Sequence, residues 1–257
     1  NMETIEDMSE HFPQTIHPIL SMYNAAMNAT TARMEIIRDE FHFRKQRCPI
    51  HHIDTRLKSA DSILGKLRKK ELPLTLTAAC NNIYDIAGVR IVGPYIKDVY
   101  LVHERILAQD DIYIMKEKDY IKQPKRNGYR SLHLIIRIPV YFMNKKQLVP
   151  VELQIRTLAM DLWASLEHDI KYKSLHNECN IDFTAKLYEC SGLIYQVEEE
   201  MEKMNQVLSV NLKKCPPSAH IGFAFRKPVT LQISVFHRQL MYNCRAVRFM
   251  HHMAMIL

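Results

Sequence analysis

The sequence predicts an α/β domain, a mixed sheet of about five strands flanked by helices, and three patterns predict it. Between Pro18 and Arg47, the residues Ile19, Met22, Tyr23, Ala26, Thr30, Met34, Ile37 and Phe41 recur at steps of three and four, the stripe of an amphipathic helix. Ser131–Ile138 and Val151–Arg156 alternate, as strands do when they bury one face. Around them, further helix-like and strand-like runs interleave, as expected where helices cover a sheet.

Bulk properties narrow the function classes. The 257 residues are 47% hydrophobic, enough for a core in one large domain or two small ones. No uncharged apolar run is long enough to span a bilayer, so no membrane partner is expected. The acidic start lacks an apolar signal region. Six scattered cysteines without a C-x-x-C pair fit a reduced, cytoplasmic chain and offer no zinc site. The net charge of +7 is carried by the seven Lys and Arg of residues 211–257, where Asp and Glu are absent. Residues 1–210 are therefore neutral overall. RNA binding remains possible through local patches but gains no support from the neutral body.

In chain order, the helix of residues 18–47 reads as a scaffold that Pro49 ends. Arg56 and Lys58, two apart in an extended segment, point the same way. Ser59 can cap a helix from Ala60 to about Lys70. On that helix Ser62 and Lys66 share a face, so Arg56, Lys58, Ser62 and Lys66 could converge on one anion. A short helix over Pro73–Asn82 leads to Asp85 and the β-branched strand Val89-Arg90-Ile91-Val92. Asp85 is either a turn cap or a hard-metal ligand. Pro94–Ala108 reads as a helix and Tyr113–Tyr120 as a strand.

Lys122–His133 is the segment richest in chemistry. It gathers Lys122, Lys125, Arg126 and Arg130 with Asn127 and Tyr129 around Gly128. Clustered cations suit polyphosphate oxygens, and a tyrosine ring offers a face to a base. A solvated basic hairpin loop would look the same. After it, Leu132, Leu134, Ile136 and Ile138 occupy one strand face, and Ser131, His133 and Arg137 the other. A hairpin through Asn144 returns along Val151, Leu153 and Ile155, which point inward, while Glu152, Gln154 and Arg156 form the floor of a polar cleft. The helix of residues 157–173 is expected to bury Leu158, Leu162, Leu166 and Ile170, leaving Glu167 and His168 outside. A last helix over 182–209 carries Leu193, Val197, Met201, Met204 and Leu208 at helical spacing, and its Glu198-Glu199-Glu200 run reads as a solvated face. The organisation expected is a helical segment over 1–50, a catalytic domain over 51–180, a helix over 181–210 and an atypical basic tail over 211–257.

Four ordered segments carry a family resemblance. They are Arg56-x-Lys58, Tyr84-Asp85-Ile86-Ala87-Gly88-Val89-Arg90, Lys125-x-Asn127-Gly128-Tyr129-Arg130-Ser131-Leu132-His133, and Val151-Glu152-Leu153-Gln154-Ile155-Arg156-Thr157. Together, over about residues 14–210, they resemble the synthetase domain of the RelA/SpoT family of (p)ppGpp synthetases. The run Leu158–His168, with Asp161 where the RelQ-type branch usually has Asn, looks closer to the RelP-type branch.

The resemblance implies a nucleotidyltransferase-like synthetase fold and an ATP:GTP or GDP 3′-pyrophosphotransferase that makes (p)ppGpp and AMP, with no hydrolase. It implies Asp85 and Glu152 as Mg²⁺ ligands, Glu152 also being the natural general base. Arg56 and Arg90 would hold the adenine, and Lys58, Ser62 and Lys66 the ATP phosphates. Tyr129 would stack on guanine, with Lys122, Lys125, Arg126 and Arg130 forming a phosphate-binding loop. Asn127, His133, Gln154 and Glu167 would be further GTP or GDP contacts. Small members of the family are usually homotetramers. Two rivals stand beside this reading, a template-independent nucleotidyltransferase and a nucleotide- or RNA-binding module without catalysis.

Overall fold

The computed structural model describes residues 16–176 and 182–214, with side chains for 16–171 and 182–208. The chain forms two compact units, Asn1–Ser209 and Val210–Leu257. The sheet and the candidate site lie wholly in the first. Of the basic tail expected over 211–257, residues 211–214 continue the last helix and the rest lies outside the described residues.

Helix α1 spans His17–Phe43, followed by β1 (His52–Leu57), α2 (Ala60–Lys69), α3 (Leu76–Asn82), β2 (Ala87–Gly93), α4 (Ile96–Leu107), β3 (Tyr113–Asp119), β4 (Leu132–Phe142), β5 (Lys145–Thr157), α5 (Leu158–His176) and α6 (Thr184–Lys214). The five strands form one sheet in the order β1-β2-β5-β4-β3. Among these strands only β2 and β5 pair in parallel; the other three neighbours are antiparallel, so the sheet is mixed as the sequence predicts.

Local chemistry sets the element ends. The Ser59 hydroxyl accepts the Ser62 N–H at 3.3 Å and Thr75 accepts the Ala78 N–H at 3.2 Å, so each caps the helix that follows. Met143 and Asn144 both adopt positive φ, 49° and 60°, and close the two-residue β4–β5 hairpin.

Alternation divides the sheet into two faces. Val89, Ile91, Leu132, Leu134, Ile136, Val151, Leu153 and Ile155 are buried. Cross-strand register puts Val89 beside Leu153 and Ile136 beside Val151, so these residues form one continuous apolar floor. Helix α1 packs on β1, β2, β4 and β5 and buries Tyr23, Ala26, Met27, Thr30, Met34, Ile37 and Phe41. The buried Thr30 hydroxyl is satisfied by the Ala26 carbonyl at 2.8 Å.

Two expectations fail on the last helices. Leu158, Leu162, Leu166 and Ile170 are not the buried stripe of α5: they are exposed, and Met160 and Trp163 are buried instead. On α6, Leu193, Val197, Met201, Met204 and Leu208 are likewise exposed, while Ser191 and Glu198 are buried. Glu198 is therefore no solvated face. Periodicity locates an apolar stripe but not the surface it meets. Here both stripes point away from the sheet, leaving two long apolar ridges on the outside of the unit.

Candidate active site

The other face of the sheet builds the site row by row. Cross-strand partners in the first row are Arg56, Gly88, Glu152, Ile135 and Lys116, taken from β1 through β2, β5 and β4 to β3. The second row is Asp54, Arg90, Gln154, His133 and Lys118. Partners in register project from the same face, so five strands deliver ten positions to one surface. Gly88 contributes no side chain between Arg56 and Glu152, which leaves a hollow in the first row.

Two cavities lie on this surface. One, of about 470 Å³, is lined by Asp54, Thr55, Arg56, Lys58, Asp85, Gly88, Val89, Arg90, Glu152 and Gln154. The other, of about 320 Å³, is bordered by Lys66, Lys70, Asp85, Lys116, Lys118, Lys125, His133 and Glu152, with Tyr84 and Tyr120 among the rest. Asp85 and Glu152 belong to both, so the cavities meet at two carboxylates.

Each carboxylate is held ionised. Burial pushes the Asp85 carboxyl up, but its hydrogen bond from Lys66, at 2.6 Å, and the nearby Lys58, at 3.2 Å, outweigh burial and bring it below its ordinary value. For Glu152 burial again pushes up, and His133 Nδ1 at 3.3 Å and the Gln154 amide at 3.0 Å outweigh it. An ionised carboxylate only accepts, so His133 presents Nδ1–H to it. The Nε2 of a neutral ring then accepts from the Tyr129 hydroxyl 2.8 Å away.

Among the described residues, no group of three or more His, Cys, Asp or Glu is placed to hold a metal ion. The two carboxylates nonetheless fit Mg²⁺, which keeps most of its waters and asks for one or two carboxylates. Asp85 Oδ1 supports that fit, because it is buried with no hydrogen-bond partner.

The predicted residues separate into two groups. Arg56, Lys58, Lys66, Asp85, Arg90, Lys125, His133, Glu152 and Gln154 line the two cavities. Ser62, Lys122, Arg126, Asn127, Tyr129, Arg130 and Glu167 do not. The Ser62 hydroxyl pairs with Ser59. Lys122 is exposed, near Asp119. Asn127 donates to Glu167 at 2.9 Å and bridges the basic loop to α5. Tyr129 is half-buried among Tyr120, His133 and Trp163, with the Lys125 ammonium 4.4 Å from its ring centroid. Arg130 points the other way, its guanidinium 4.1 Å from the Tyr195 ring on α6 and its Nη1 donating to the Ile121 carbonyl at 2.8 Å.

The sequence reading missed three basic residues of the smaller cavity. Lys116 and Lys118 repeat at the strand period on β3, a signal it could have used, and Lys70 follows α2. Arg156, set on the cleft floor with Glu152 and Gln154 by the same strand period, is more enclosed than that pattern implies. It is buried and donates to Gln154 Oε1 at 2.5 Å, to Asp161 at 3.3 Å and to the Tyr129 hydroxyl at 3.4 Å. Asp161 also pairs with Arg90 at 3.3 Å, so one carboxylate serves two arginines from neighbouring strands.

Comparison with known proteins decides the family. The profile of the region found in RelA / SpoT proteins matches residues 55–177. The GTP pyrophosphokinase YwaC of Bacillus subtilis is 43% identical over 182 residues, covering 71% of this chain and 86% of YwaC. The chain belongs to the RelA/SpoT family. A second family member from the same organism, the GTP pyrophosphokinase YjbM, is 33% identical over 71% of this chain and 84% of its own length. The small alarmone synthetase 1 of B. subtilis, solved bound to its product pppGpp, superposes with a TM-score of 0.68 at 31% identity, over 78% of this chain and 99% of that one. The small alarmone synthetase 2 of B. subtilis gives a TM-score of 0.65 at 41% identity, over 73% and 96%. Both share the family's mixed sheet flanked by helices.

Proposed function

We propose that the protein is an ATP:GTP/GDP 3′-pyrophosphotransferase that makes (p)ppGpp and AMP. One observation carries the reading: two cation-lined cavities share a pair of ionised carboxylates. That layout suits a donor and an acceptor nucleotide meeting at one reaction centre. The names of the relatives, GTP pyrophosphokinases and a pppGpp-bound synthetase, agree.

The larger cavity would take ATP. Arg56 and Arg90 offer planar cations to adenine, each worth about 1 kcal/mol. Lys58, on the wall of this cavity, and Lys66, which borders the smaller cavity beside the shared Asp85, would reach the phosphates, with Ser62 on the same helix as Lys66. The smaller cavity would take GTP or GDP. Lys125, with Lys116, Lys118 and Lys70, faces its phosphates and His133 its sugar and base, while Gln154, on the wall of the larger cavity, would reach it beside the shared Glu152. A guanine stacked on Tyr129 would take the place of the Lys125 ammonium, which would move to the phosphates. Lys122, Arg126, Asn127, Arg130 and Glu167 act in this reading by shaping or charging the loop.

In the reaction, the acceptor 3′-oxygen attacks the β-phosphorus of ATP. The bond from that phosphorus to the α–β bridging oxygen breaks and AMP leaves. Glu152 takes the proton of the 3′-hydroxyl, its carboxylate kept ionised and aimed by His133. The lysines around the cleft stabilise charge on the transferred group, which is most of what such transfers require. Asp85 and Glu152 would hold Mg²⁺, which supplies charge neutralisation at the phosphates. Among the described residues no helix is long and apolar enough to cross a membrane. A cytoplasmic location and a homotetramer complete the proposal, the exposed ridges of α5 and α6 supporting self-association.

The deciding experiment incubates the protein with ATP, GTP and Mg²⁺ and resolves the nucleotides. AMP with a 3′-pyrophosphorylated guanosine nucleotide is the expected result. Release of inorganic pyrophosphate instead would identify nucleotidyl transfer, and absence of turnover would identify a binding module.

A further inference from the structure

Helix α6 meets the basic loop from behind. The Ser191 hydroxyl, buried, donates to the Gly128 carbonyl at 2.5 Å. A Cβ on Gly128 would lie 2.6 Å from Ser191 Cβ and 3.0 Å from Tyr188 Cα, so turn and helix touch with no side chain between them. Gly128 also has φ +89°, which a side chain would strain. One turn beyond Ser191 on the same helix, Tyr195 packs its ring under the Arg130 guanidinium. The Trp163 indole N–H donates to the Leu187 carbonyl at 3.1 Å, and its ring lies 6.3 Å from that of Tyr129. Inside the loop, Gly128 N–H donates to the Lys125 carbonyl at 2.8 Å and Lys125 N–H to the Tyr129 carbonyl at 3.1 Å. The turn is thus closed by two backbone hydrogen bonds of its own.

We propose that Ser191 and Tyr195 are positioning residues for the acceptor nucleotide: they grip the rear of the loop and hold Lys125 and Tyr129 toward the shared cleft. The inference rests on the reaction proposed above. Neither residue lines either cavity, so both act through the loop alone. The donor cavity draws its lining from β1, β2, β5 and the segments flanking them, and none from the loop. Loosening the grip must therefore weaken the acceptor and spare ATP.

The test is steady-state kinetics with each nucleotide varied, in the wild type and in Ser191→Ala, Tyr195→Ala and Tyr195→Phe. Loss of one hydrogen bond or one cation–π stack is expected to raise KM for GTP about five- to tenfold. KM for ATP stays unchanged, and Tyr195→Phe, which keeps the ring face, behaves as wild type. Trp163 is the only tryptophan of the chain, and it sits at this junction. Its emission on titration with GDP gives a second readout that needs no turnover, and the midpoint moves to higher GDP in the two alanine variants. Equal rises in both KM values, or no change in KM and midpoint, would overturn the proposal. Should the wild type form no product, the reaction assignment falls, and the GDP titration still decides the grip.

Discussion

Nδ1 of His133 stands 3.3 Å from Oε1 of Glu152. The contact holds the carboxylate ionised against the burial that would protonate it. In the proposed mechanism only ionised Glu152 takes the acceptor proton, so activity is expected to fall as pH drops through its pKa. Removing the imidazole in His133→Ala lets burial prevail and raises that pKa. The acid limb of the kcat/KM profile for GTP then moves to higher pH. Glu152→Gln removes the base altogether, and transfer falls by about two to four orders of magnitude while nucleotide binding persists. Normal turnover in that variant would remove Glu152 from the mechanism.

Asp85 links the site to stability. Its carboxyl titrates below the unfolded value, so its pairing with Lys58 and Lys66 stabilises the fold above that value and is lost as pH falls through the folded one. Asp85→Asn should lower Tm at neutral pH, and the gap to wild type should close in acid, below about pH 4. A gap that persists into acid would mean that the aspartate is not held by these lysines. Thermal scans across pH read this directly.

Glu198 has the opposite sign. Burial pushes its carboxyl up to about 7, so the folded chain keeps a proton that the unfolded chain releases. Stability from this group is complete below the unfolded pKa and declines as pH rises toward 7, by on the order of 3 kcal/mol. Glu198→Gln should remove that decline and raise Tm at pH 8 relative to wild type. A variant Tm profile that keeps the wild-type slope between pH 5 and 7, about the span concerned, would contradict it.

The exposed ridges predict assembly. Leu162 and Leu166 on α5, with Val197 and Met201 on α6, are more than half exposed in a single chain. Charged replacements there, Leu162→Lys with Leu166→Lys, should leave the fold intact and shift the sedimentation coefficient toward that of a monomer. If the wild type already sediments as a monomer, the ridges serve another purpose.

What the sequence disclosed follows from what each pattern encodes. Alternation in β4 and β5 names the buried faces correctly, because a strand's period leaves one choice of side. Register then fixes which residues stand together, so Arg56, Arg90, Glu152, Gln154 and His133 could be grouped from their motifs. Helical stripes carry less information. The leucines of α5 read as core because nothing in a single chain says whether an apolar face meets the sheet or a neighbour. Arg130 is the least legible residue of the loop: a cation among cations reads as a phosphate ligand, and only packing shows that its guanidinium lies against Tyr195. Arg156 was legible as a residue of the cleft floor beside Gln154, but its burial was not, because the partners that make a buried arginine tolerable include Tyr129, 27 residues back in the chain, and Asp161 on the next helix.

The two halves of the cleft differ in how they are carried. Arg56 and Arg90 stand on hydrogen-bonded strands, whereas Lys125 and Tyr129 hang on a turn held by side-chain contacts to α5 and α6. On the proposed assignment, a lineage exchanges one guanosine nucleotide for another by editing the turn or the helix at its back, while the proposed adenosine seat stays as it was. Preference for the acceptor is the property of this enzyme most open to change.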